Sequence, residues 1–181
     1  MLKTFLTRWL DKFEKTFDYD ASYMRHVLRE NPGSLFKFSL ATQAADRKAA
    51  PMEALFAAGL VGTLSEDCGP CVQVGVDIAT AQGMDPAVMR AVIAGDLDAM
   101  GETAGLAYRF AQASLARDME ACDPLRDEIV RRWGDKALVA IGLTLVASRM
   151  YPTLKYALGY GKACSRVKVA GETVAPLRLA A

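Results

Sequence analysis

The chain has 181 residues, a net charge of +1, 52% hydrophobic residues and four cysteines. That length suits one domain with a buried core. The near-neutral charge, without a basic patch interleaved with aromatics, argues against nucleic acid as the main partner, and the apolar content points to surface buried between subunits.

The first residues carry Lys3 and Arg8 where a secretory signal needs an apolar core. The apolar runs 49–64 and 137–147 fall short of the roughly 18 uncharged residues of a membrane span. The expected location is therefore cytoplasmic, where disulfides are usually catalytic or redox-sensing.

In chain order, Leu2, Phe5, Leu6, Trp9, Leu10, Phe13 and Phe17 recur at helical spacing. They predict an amphipathic helix within 1–19 that packs on the domain or on a neighbouring subunit. Asp20 to Tyr23 caps a second helix ending near Glu30. Asn31-Pro32-Gly33 breaks it, and Ser34 caps a third helix, Leu35 to about Arg47. Met52 to Leu64 is almost wholly apolar and reads as a buried helix. A further helix runs from the Cys68 region to Gln82-Gly83, and Asp85-Pro86 opens a short one ending at Gly95. Helices are expected over Thr103 to Met119, over Leu125 to Trp133 behind an Asp123-Pro124 cap, and over Lys136 to Gly159 with a kink at Tyr151-Pro152. The tail, 162–181, reads as irregular. No alternation is long enough for a sheet, so the expectation is one all-α domain spanning 1–181.

The chemistry concentrates in Ser65-Glu66-Asp67-Cys68-Gly69-Pro70-Cys71-Val72-Gln73-Val74-Gly75. Proline suits the first turn of a helix, so Pro70 opens one, with Cys68 at or before its start and Cys71 in its first turn. Unpaired N–H groups and the helix dipole at that end favour an anion, hence a thiolate, the reactive form of cysteine. Cysteines two residues apart in one turn can close a disulfide when their Cα atoms lie within about 7 Å. Glu66 and Asp67 raise a neighbouring thiol's pKa, and either could relay a proton. A zinc site would need a second pair or histidines at ligand spacing, whereas Cys122 and Cys164 are single and distant and the one histidine is His26. No metal or cofactor is expected. Both cysteines could instead be plain buried residues. Cys-Gly-Pro-Cys is also the thioredoxin dithiol, but that fold needs a strand before the motif, and none is visible.

Three parts of the chain carry a resemblance: Cys68-Gly69-Pro70-Cys71 after an alanine-rich buried helix; Ala81 to Arg90; and Leu106 to Ala111 followed by Trp133 to Val139 and Met150-Tyr151-Pro152. Over roughly 21–169 the chain resembles the alkylhydroperoxidase AhpD-like group, also called carboxymuconolactone decarboxylase-like. The resemblance implies an all-helical fold assembling into trimers or larger rings. It implies peroxide reduction, or dithiol–disulfide exchange with a thiol reductant protein. It also implies that Cys71 attacks and Cys68 resolves, whereas the dipole argument favours Cys68 as the attacker. The chain departs from the pattern at two positions: the family's histidine, four residues after the second cysteine, falls at Gly75, and its upstream glutamate falls at Phe56, one helical turn from Glu53. Glu66, then Asp67, are the nearest substitutes.

The reading is a thiol oxidoreductase with Cys68, Cys71, Glu66 and Asp67 as its site, acting on a small peroxide-like substrate. The alternative is a non-catalytic redox sensor or small-molecule binder on the same fold. Cys122 and Cys164 have no partner by spacing, His26 reads as structural, and the methionines fit core filling. Arg109 and Arg149 lie in otherwise apolar helical stretches, where a paired carboxylate or an anionic ligand is expected.

Overall fold

The computed structural model describes residues 1–161 and 167–177. The chain is mostly helical. Among the described residues it forms nine helices: α1 (Leu2–Phe17), α2 (Ser22–Glu30), α3 (Pro32–Ala41), α4 (Met52–Ser65), α5 (Gly69–Ala81), α6 (Pro86–Ala94), α7 (Gly101–Ala116), α8 (Met119–Trp133) and α9 (Asp135–Ala157). A short antiparallel hairpin follows, β1 (Val167–Val169) and β2 (Glu172–Val174), with Val167 opposite Val174.

Helix α4 is the centre. It is apolar on every side, the mark of a helix surrounded by protein, and it buries Ala54 through Leu64 except Phe56 and Gly59. Helices α7 and α9 flank it along most of its length. The α4–α9 approach is close because Gly62 faces α9. A Cβ on Gly62 would lie 2.1 Å from Ser148 Oγ and 2.8 Å from the Leu145 carbonyl oxygen, and one on Gly59 would lie 3.2 Å from the Thr144 methyl. A second apolar cluster, built on Leu6, Leu10, Tyr23, Met24, Leu28 and Leu35, joins α1, α2 and α3. Helix α1 thus packs on its own domain through Leu6 and Leu10, leaving Leu2 and Phe5 exposed.

Several boundaries differ from the sequence expectation. Asn31, not Ser34, caps α3: its side chain accepts from the Ser34 N–H and Pro32 takes the first turn. Helix α3 stops at Ala41 rather than near Arg47, because the Thr42 hydroxyl and the Gln43 amide fold back onto the Ser39 carbonyl. Helix α8 starts at Met119 under an Asp118 cap and runs through Pro124. The carbonyl that Pro124 leaves unpaired belongs to exposed Glu120, where water can serve it. Pro152 likewise lies inside a continuous α9. The tail, expected to be irregular, includes the β1–β2 hairpin. Val167 and Val169 are buried, and Gln73 of α5 bonds both the N–H and the carbonyl of Lys168, which pins β1 to α5.

Helix α9 has the length and composition of a membrane span, which the apolar-run count missed. Here it packs along α4 and α8 and buries Ala137, Ala140, Ile141 and Leu145. Its other side exposes Val139, Leu143 and Val146.

The Gly62 contact predicts a contrast. Gly62→Ala places a methyl against backbone and should lower unfolding free energy by about 1–3 kcal/mol. Gly75→Ala meets open space and should be neutral or stabilising by up to about 1 kcal/mol. Urea denaturation of the two variants checks this, and equal losses would contradict the packing account.

Candidate functional site

Cys68 and Cys71 are joined by a disulfide, with their Cα atoms 5.3 Å apart. The local sequence explains the geometry. Helix α4 ends at Ser65, Glu66 caps it, and Asp67 takes a left-handed conformation at φ 49°, which aspartate tolerates better than most residues. That turn reverses the chain, and Cys68 becomes the N-cap of α5, with Pro70 in the first turn. The Cys71 and Val72 N–H groups both donate to the Cys68 carbonyl, at 2.9 and 3.0 Å. Cys68 is buried, while Cys71 is half-exposed and lines a cavity.

The cavity holds about 640 Å³, within the usual range of ligand pockets. It lies where the α1–α3 cluster meets the central layer. Trp9 and Phe13 come from α1, Tyr19 and Tyr23 from the α1–α2 turn and α2, Phe56 and Thr63 from α4, Cys71, Gly75 and Ile78 from α5, and Ser148 and Tyr151 from α9. Both positions at which the sequence departs from the resemblance, Phe56 and Gly75, thus line the same cavity as Cys71. At these two positions the wall carries a phenyl ring and an open backbone.

Glu66 and Asp67 lie outside the cavity wall. The Glu66 carboxylate accepts from Arg149 Nε at 2.7 Å and from the Thr153 hydroxyl at 3.0 Å, which ties the end of α4 to α9. Arg149 therefore has a carboxylate partner. Arg109, expected within an apolar face, is exposed. The Asp67 side chain is exposed, and its backbone carbonyl accepts from the Tyr156 hydroxyl at 3.0 Å. His26 is half-buried, 3.4 Å from the Tyr160 hydroxyl. Cys122 is buried beside Ser114 and Arg126. Cys164 lies outside the described residues. Among the described residues, no group of three or more His, Cys, Asp or Glu is placed to hold a metal.

Sequence reasoning missed Tyr19, Tyr23 and Lys155. The Tyr19 hydroxyl lies 3.7 Å from Cys71 Sγ and 3.3 Å from the Tyr23 hydroxyl. Lys155 Nζ, on α9, sits 5.0 Å from the Tyr19 ring centre and 5.8 Å from that of Tyr23, within cation–π range. Lys155 is 4% exposed and Tyr23 1%. Burial holds both tyrosine pKa values above the ordinary 10.0. The available signal was the four-residue spacing of Tyr19 and Tyr23 at a helix start.

Searches of protein-family models, curated proteins and solved structures return no match to this chain.

The raised tyrosine pKa values fix a pH dependence. In the unfolded chain these phenols ionise near 10.0, and in the folded chain only above that. Their contribution is therefore complete below pH about 10 and is lost as pH rises beyond it. Tyr23→Phe should flatten that alkaline loss by up to about 1.4 kcal/mol per pH unit. Urea midpoints at pH 9 to 11 measure it, and an unchanged slope would contradict the burial account.

Proposed function

We propose that this chain is a thiol–disulfide oxidoreductase of the AhpD-like kind, cycling Cys68 and Cys71 between dithiol and disulfide while a small substrate, such as an organic hydroperoxide, occupies the adjoining cavity. The observation that carries this reading is the position of the pair. A cysteine couple at bonding distance, at a helix N-terminus, opens onto a cavity of ligand size with one sulfur half-exposed and the other buried. The exposure difference favours Cys71 as the attacking sulfur and Cys68 as the resolving one, in agreement with what the resemblance implies. We assign Glu66 and Asp67 to holding the turn, through Arg149, Thr153 and Tyr156, rather than to proton transfer.

The reading includes a thiol reductant protein that returns the pair to the dithiol. In a cytoplasmic setting the pair would rest reduced and oxidise transiently. It also includes assembly into a homo-oligomer, for which the exposed Val139, Leu143 and Val146 stripe of α9 is a suitable surface. One observation favours the alternative, a binding or redox-sensing member of the same fold: the wall positions Phe56 and Gly75 supply no proton carrier.

Turnover separates the two. With a dithiol reductant and an organic hydroperoxide, Cys71→Ser should abolish repeated peroxide reduction. Gly75→His should raise the rate about tenfold or more, the usual scale for a positioned general acid–base being 10²–10⁴, because the new ring enters open space one helical turn from Cys71. Wild-type protein that reacts once and does not cycle supports the sensor reading. Unchanged turnover in Cys71→Ser would remove the enzyme reading.

A further inference from the structure

A cysteine that forms and breaks a disulfide needs a group to stabilise its thiolate and a source for the proton its displaced partner takes up. Glu66 and Asp67 lie outside the cavity wall, and Gly75 and Phe56 carry no proton. The Tyr19 hydroxyl, by contrast, lies 3.7 Å from Cys71 Sγ. A disulfide sulfur bears no hydrogen, so Tyr19 is the donor in this contact. Behind it, the Tyr23 hydroxyl is 3.3 Å away. One rotation of the Tyr19 hydroxyl therefore switches its hydrogen between Tyr23 and the sulfur, with Tyr23 donating in turn when Tyr19 points to Cys71. Lys155, nearly buried, places its ammonium by both rings. A cation there stabilises the negative charge left as a proton leaves.

We propose that Tyr19, supported by Tyr23 and Lys155, is the proton donor of the Cys68–Cys71 pair. This rests on the thiol reading above and assigns the relay that the cavity wall otherwise lacks. In the dithiol form the Tyr19 hydroxyl hydrogen-bonds the Cys71 thiolate. When that thiolate attacks a hydroperoxide, the S–O bond forms, the O–O bond breaks, and the alkoxide leaves with the electron pair and takes the Tyr19 proton. Tyr19 regains a proton from solvent through Tyr23, matching the one Cys71 released on ionising. The Cys68 thiol then attacks the Cys71 sulfenic acid, closing the disulfide and releasing water. A dithiol reductant supplies the two electrons that reopen it. The burial that raises the pKa of both phenols keeps them in the donor form.

The test reads Cys71 itself and needs no turnover. In a Cys68→Ser background, the rate of Cys71 alkylation by iodoacetamide is followed from pH 5 to 10 by mass analysis of the Cys71 peptide. Other charged or titratable groups at the cluster and the cavity wall are Asp20, Tyr151 and Arg47, and all stay constant across the series. Adding Tyr19→Phe should slow the reaction about tenfold at pH 7, by moving the midpoint up about one pH unit with the same alkaline plateau. Adding Tyr23→Phe should slow it about threefold in the same direction. A midpoint unmoved by Tyr19→Phe in folded protein overturns the assignment. If Tyr19→Phe does not fold, Tyr23→Phe decides alone. A shifted midpoint without peroxide turnover would remove the enzyme reading and keep the Tyr19 contact; turnover with an unmoved midpoint would do the reverse.

Discussion

The close approach of α4 and α9 at Gly62 is the constraint from which the rest of the architecture follows. Two helices can come this near only where one lacks a side chain, and a Cβ at Gly62 would meet the backbone of α9 itself. With α9 held there, its C-terminal half passes beside the end of α4, and Arg149, Thr153 and Tyr156 reach the Glu66–Asp67 turn. That turn then starts α5 with Cys68 as its first cap. The same half of α9 carries Lys155 and Tyr151 to the tyrosines of the α1–α2 region. One packing contact therefore places the disulfide, braces the turn before it and delivers a cation to the Tyr19 and Tyr23 rings.

The cavity is a consequence of two apolar clusters meeting imperfectly. The central layer, α4 between α7 and α9, is closely packed, and the α1–α3 cluster closes over the α4–α5 side through Trp9, Phe13 and the two tyrosines. Gly75 on α5, where a Cβ would meet nothing within 4 Å, helps leave the gap. A phenyl ring at Phe56 and open backbone at Gly75 make the wall apolar where the resembling family would carry ionisable groups. The polar functions that do face Cys71 come from a different part of the chain, and their hydrogen bonds replace reach along the helix with contact across the cavity.

Legibility in the sequence followed the range of the interaction. Pro70 in the first turn of α5, the Asp85 cap of α6 and the apolar run of α4 are local signals, and each element formed as its residues dictate. Expectations failed where a local rule had a competitor. Ser34 lost the cap of α3 to Asn31, whose side chain lies one turn earlier. Pro124 lies inside α8 rather than opening it, because the Glu120 carbonyl it orphans can meet water. Two valines flanking Lys168 were too few to announce a strand, yet Gln73 pairs with that backbone. Glu66 and Asp67 stand beside the cysteines in sequence but lie outside the cavity wall, with Glu66 bonded to Arg149 and Thr153 of α9. Tyr19 lies 52 residues from Cys71, so its spacing from Tyr23 marks a helix start and not the sulfur it meets, and Lys155 reaches the two tyrosine rings from α9.

The central claim is that Cys68 and Cys71 form a working dithiol. The most direct measurement is the mass of the peptide spanning both cysteines in fully reduced protein, before and after one equivalent of an organic hydroperoxide with no reductant present. The account predicts loss of two hydrogens from that peptide, with both thiols joined as the disulfide. A peptide that keeps both free thiols while the hydroperoxide persists would contradict it.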